Sequence, residues 1–91
     1  MKNLINMSED FYKEPLDFAE EGKFEFKASS TLIESGEYFP DQRRLIINFV
    51  RGGSYQYFNV PPEDYHSMVN APSVGKAFNS TIRGNYDFEK L

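Results

Sequence analysis

Leu45-Ile46-Ile47-Asn48-Phe49-Val50 runs into Gly52-Gly53 and returns as Tyr55-Gln56-Tyr57, and this stretch decides the fold. The first arm is rich in β-branched and aromatic residues, which suit a pleated, half-buried surface. The glycine pair tolerates positive φ at little steric cost, so the two arms read as a β-hairpin. Loop length then sets the face of each ring. A two-residue Gly52-Gly53 loop pairs Val50 with Tyr55 and Asn48 with Tyr57, leaving Phe49 and Phe58 opposite. A three-residue loop over 52–54 places Tyr55 and Tyr57 beside Phe49 and Ile47. One residue of register exchanges the faces, and both faces carry apolar residues, so the pattern leaves both arrangements open.

Working outward, residues 31–38 read as a strand ended near Pro40-Asp41, with 44–51 and 54–59 completing a meander. Pro61-Pro62 stop the sheet, because neither donates a ladder hydrogen bond. They also suit a helix's first turn, with Glu63 and Asp64 favourable to its dipole. Tyr65, Met68 and Val69 share one face of that helix, and Pro72 ends it. Ser73 is placed to cap a second helix containing Ala77, Phe78, Thr81 and Ile82, stopped by Gly84. The expected fold is therefore α+β: a three-stranded antiparallel β-meander followed by two short helices. Upstream, Lys23-Phe24-Glu25-Phe26-Lys27 alternates charge and ring, the period of a half-buried strand. It either adds an N-terminal strand or leads into the first one.

Composition bounds the rest. Ninety-one residues make a single small domain, and fifteen rings (nine Phe, six Tyr) must build most of its core. Cysteine is absent, which excludes disulfides and thiolate metal sites. No apolar run approaches the roughly 20 residues needed to span a bilayer. The N-terminus lacks the apolar segment of a secretory signal, and a cytoplasmic protein without membrane partners is expected. Net charge is −4, unevenly spread. Residues 1–28 hold four lysines against seven acids, whereas residues 42–86 hold five basic side chains against Glu63 and Asp64. An acidic arm over 1–28 thus precedes a mildly basic domain over 29–91.

The ordered series Ser29-Ser30, Ile33, Leu45-x-Ile47-x-Phe49, Gly53, Tyr55-x-Tyr57, Val60-Pro61, Tyr65, Ala71, Ser73, Gly75, Phe78-Asn79, Ile82-Arg83 and Tyr86 resembles the KTSC domain family. That family takes its name from a C-terminal extension of certain lysyl-tRNA synthetases and also occurs as small stand-alone bacterial or phage proteins. The resemblance covers about two-thirds of the chain. It implies an RNA connection through the synthetase context and brings no catalytic residues. The arm lies outside the pattern.

Two binding surfaces follow. Tyr55 and Tyr57 project from one strand face, where an exposed pair would stack bases at about 1–3 kcal/mol each, and a buried pair would fill the core. Arg51, Lys76 and Arg83 would supply phosphate contacts; Arg matches phosphate with a planar fork, and Lys76 and Arg83 stand about two helical turns apart. The alternative for all three is a solvated surface. In the arm, Phe11, Tyr12, Phe18, Phe24 and Phe26 are interleaved with acids. They either fold back onto the core or dock on a basic, nucleic-acid-processing partner, such as host machinery bound by an inhibitor or adaptor.

His66 is the single histidine, with Glu63 one helical turn earlier, too few ligands for a metal centre. The serines lack a base-and-orienter set. No cofactor is expected. The leading expectation is non-enzymatic, weak RNA- or tRNA-related binding, with protein interaction as the alternative.

Overall fold

The computed structural model describes residues 22–91. Strands β1 (Phe24–Lys27), β2 (Ile33–Phe39), β3 (Arg44–Phe49) and β4 (Ser54–Tyr57) form an antiparallel meander. Helix α1 (Pro62–Val69) and the short α2 (Val74–Ala77) follow, α2 continuing into a π-helical turn (Phe78–Ile82). The chain then returns as β5 (Phe88–Lys90), antiparallel to β4, giving a five-stranded sheet in the order β1-β2-β3-β4-β5.

The expected α+β class, the three-stranded meander and the two helical segments agree with this architecture, and the sheet is extended to five strands by the N-terminal strand allowed for over 23–27 and by an unforeseen β5. The alternating 23–27 segment does add a strand, pairing Phe24 with Tyr38 and Phe26 with Gly36. β5 escapes sequence reading because three exposed residues carry no usable period.

The hairpin register resolves the tyrosine question. Ile47 faces Tyr55 and Leu45 faces Tyr57, and Phe49 N–H donates to Gly53 O at 3.0 Å. The loop is therefore three residues, but it comprises Val50, Arg51 and Gly52 rather than 52–54. Gly52 and Gly53 both take positive φ (98° and 92°) to close it. Tyr55 and Tyr57 consequently share the Ile47 face, which the helices cover.

That covered face carries the core: Ile33, Tyr38, Leu45, Ile47, Val60, Met68, Phe78 and Ile82 are fully buried. Tyr65 of α1 stacks on Tyr38 (centroids 4.5 Å apart, planes at 10°), and Phe78 meets Phe49 and Tyr57 edge-on at 5.4 and 5.5 Å. Aromatic pairs in such arrangements contribute about 0.5–1.5 kcal/mol each beyond area burial. The Tyr38 hydroxyl donates to Val60 O at 2.6 Å, so this buried polar group is satisfied.

The opposite face is polar and laced with side-chain hydrogen bonds. Asn48 Nδ2 donates to Ser35 Oγ and Ser54 Oγ to Asn48 Oδ1, linking three strands. Lys23 Nζ sits 2.9 Å from Glu37 and 3.2 Å from Glu25, and these hydrogen bonds raise its pKa.

Candidate functional site

A cleft of about 300 Å³ opens between the β3–β4 loop, β4, β5 and the end of the π-helical turn. Arg51, Gly52, Tyr55, Tyr57, Arg83, Gly84 and Phe88 contribute to its lining. Each arrives there for a local reason. The three-residue hairpin loop lifts Arg51 to the rim. Strand alternation sends Tyr55 and Tyr57 to the same side. β5 sets Phe88 directly opposite Tyr57 in register.

The π-helical turn positions Arg83. Its N–H donates to Phe78 O at 2.9 Å, five residues back, and its backbone is already extended (φ −64°, ψ 128°). The extra residue in the turn carries Arg83 off the helical repeat and towards β4; such wide turns often mark functional sites. Asn85 Nδ2 donates to Thr81 O at 2.9 Å and secures the open end of the turn. The guanidinium itself is held from one side, Arg83 Nη1 donating to Asn79 Oδ1 at 3.1 Å.

The rings divide into floor and wall. Tyr57 is only 5% exposed and packs against Phe78, so it forms the floor. Burial pushes its phenol pKa up, with the nearby Arg83 charge partly offsetting that rise. Tyr55 is half-buried, edge-on to Phe49 at 5.6 Å. Phe88 is 59% exposed and lies 5.8 Å from both tyrosine rings. Phe88 was missed by sequence reasoning, because only the β4–β5 pairing brings it to the tyrosines.

Of the five residues expected to bind nucleic acid, the cleft thus gathers Arg51, Tyr55, Tyr57 and Arg83. Lys76 lies apart, in a neighbouring groove with Ser29, Ser30, Ser73 and Asn79. The helical spacing that aligned it with Arg83 does not survive the π-helical turn. Arg44, on the outer sheet face, hydrogen-bonds Gln42 and Gln56 and caps the Phe39 ring at 4.5 Å.

In the arm, Phe24 and Phe26 pack on the core beside Tyr65, each with centroids 6.0 Å from it. Phe11, Tyr12 and Phe18 lie outside the described residues. His66 stands edge-on to Phe24 and Tyr65. Among the described residues no group of three or more His, Cys, Asp or Glu side chains could hold a metal ion. Nor is any described helix long and apolar enough to cross a membrane.

Residues 29–86 match the family model of the KTSC domain. The chain belongs to the KTSC family. A lysine–tRNA ligase of Nostoc punctiforme is 38% identical over 65 residues, which are 71% of this chain and 12% of the ligase. The chain thus spans about an eighth of the length of the ligases it matches. A small protein of Tsukamurella paurometabola is 32% identical over 57 residues, 63% of this chain and 85% of that protein. The crystal structure of a KTSC domain protein from Yersinia pestis superposes with a TM-score of 0.72 at 35% identity, covering 76% of this chain and 97% of the other.

Most KTSC pattern residues have a structural task here. Ser30 Oγ accepts from Leu32 N–H and Ile33 N–H at 3.0 and 3.2 Å, fixing the entry to β2. Gly75 is buried against that turn, where a methyl group would sit 2.9 Å from Ser30 Oγ. Ser73 Oγ accepts from Lys76 N–H and caps α2. Arg83 is the exposed member of the series that stands beside the cleft with a charge.

Proposed function

We propose that this KTSC domain is a non-enzymatic module that binds single-stranded RNA, including tRNA-derived single-stranded segments, weakly in the Arg51–Arg83 cleft. The observation that carries the reading is a single cleft lined by Arg51 of the β3–β4 loop and Arg83 at the end of the π-helical turn, together with Tyr55 and Phe88. Guanidiniums pair with phosphate in a planar fork, and exposed rings stack unpaired bases. The cleft's size suits one splayed nucleotide better than a duplex, whose bases are already stacked. Tyr57 serves as the floor rather than as a stacking platform. The 65-residue similarity to a segment of lysine–tRNA ligases supports such a ligand.

Fluorescence anisotropy of labelled single-stranded RNA and of tRNA, titrated with the full chain across a salt series, tests this. The expected result is affinity of about micromolar order that falls steeply with salt, as phosphate neutralisation requires. Absence of binding at low salt would overturn the proposal.

A further inference from the structure

We propose that β1 is a self-pairing edge, on which a second copy of this chain docks antiparallel about a two-fold axis at Phe26. Ala28 N–H donates to Glu34 O at 3.0 Å, continuing the register that pairs Phe26 with Gly36 and Phe24 with Tyr38. In an antiparallel ladder, successive residues direct their N–H and C=O groups to alternate sides. Residues 24, 26 and 28 therefore bond β2, and Glu25 and Lys27 direct their backbone groups away from the sheet. Among the described strands nothing pairs on that side.

Charge then selects the partner and the register. Within β1, donor matches acceptor only in registers that bring Glu25 or Lys27 opposite Glu25 or Lys27. Centring the axis on Glu25 opposes two carboxylates, and centring it on Lys27 opposes two ammonium groups. Centring it on Phe26 places each Glu25 opposite the other copy's Lys27, on the polar face of a continuous sheet. Directly opposed unlike charges stabilise such a pair, and like charges destabilise it. Both side chains are exposed, and Lys27 makes no ion pair among the described residues. On the other face the axis sets the two half-buried Phe26 residues opposite each other. The opposite edge lacks this complementarity: backbone groups of Phe88 and Lys90 face outward there, and the corresponding register opposes Glu89 to itself.

The interface is one short strand, so the dimer is weak and belongs at high protein concentration. Sedimentation equilibrium of the full chain should show a monomer–dimer equilibrium. Lys27→Glu should weaken association by roughly tenfold, and adding Glu25→Lys to it should restore most of the loss. Circular dichroism confirms that each variant keeps its fold. The absence of cysteine permits a sharper readout. Opposed residues in the hydrogen-bonded positions have Cα atoms about 5.5 Å apart, inside the disulfide range. On mixing Glu25→Cys chains with Lys27→Cys chains under mild oxidation, the mixed dimer should dominate over either homodimer. A monomer at every concentration, growth beyond the dimer, indifference to charge reversal, or homodimers equal to the mixed product would each overturn the proposal.

Discussion

The Phe26 ring lies across Gly36, its partner in the β1–β2 register, so closely that a methyl group at Gly36 would overlap Phe26 Cε1. The same methyl would sit 2.7 Å from Ile46 O, so there is no free space in either direction. Gly36 is buried, and the ring above it joins the edge strand to the core beside Tyr65. Gly36→Ala should destabilise the fold by about 1–3 kcal/mol, the usual cost of overpacking. Chemical denaturation measures it. Pairing it with Phe26→Ala should recover part of the loss, since the ring is then gone; strictly additive losses would refute this account.

Tyr38 and Val60 form a second dependent pair. Tyr38→Phe keeps the ring stacked on Tyr65 but leaves the Val60 carbonyl, fully buried, without its donor. A loss of about 1–3 kcal/mol is expected, the desolvation cost of an orphaned acceptor. Equilibrium unfolding with an unchanged denaturant slope would show it as a stability effect alone.

Tyr86 ties the approach to β5 onto α1 through its hydroxyl, which donates to Asp64 Oδ2. This hydrogen bond, with some help from burial, pushes the Tyr86 pKa up to about 12. The folded form therefore keeps a proton that the unfolded chain gives up near pH 10. Its stabilising contribution is present in full below about pH 10 and is lost as the pH climbs towards 12. Tyr38 and Tyr57, both raised by burial, and Lys23, raised by its carboxylate partners, add losses of the same sign. The stability difference between the native chain and Tyr86→Phe isolates the Tyr86 part. That difference should be constant through neutral pH and shrink above pH 10; a constant difference up to pH 12 would contradict the assignment.

For the cleft, Arg83→Ala should weaken single-stranded RNA binding several-fold and lower the salt slope by about 0.7 for the phosphate it neutralises. Lys76→Ala, in the neighbouring groove, should have a smaller effect. Asn79→Ala should fall between them, since Asn79 orients the Arg83 guanidinium by one hydrogen bond. Phe88→Ala should reduce affinity with an unchanged salt slope, because a stacking contact releases no counterions. Equal losses for Lys76→Ala and Arg83→Ala would place the ligand elsewhere.

Much of this architecture was legible in the residues. The β3–β4 hairpin followed from alternation and the glycine pair, α1 from Pro61-Pro62 and the Tyr65, Met68, Val69 face, and the cap of α2 from Ser73. These are local signals, each carried by neighbours within one or two turns of chain. The hairpin's register was not legible, since moving the loop from Gly52-Gly53 to residues 50–52 depends on which ring set the helices bury. The π-helical turn was equally hidden, and with it the separation of Lys76 from Arg83.

The sequence alone determined the class of the fold, its KTSC membership and the presence of rings and arginines in the same hairpin and helical end. Those properties reside in periodicity, turn chemistry and an ordered residue pattern. Only the tertiary structure decided that β5 closes the sheet, that Phe88 joins Tyr55 while Tyr57 sinks beneath Arg83, and that Glu25 and Lys27 face outward along an edge that no other described strand pairs. Such arrangements depend on pairings between residues far apart in the chain. A three-residue strand or a one-residue register choice has no local free-energy signature until the rest of the core is in place.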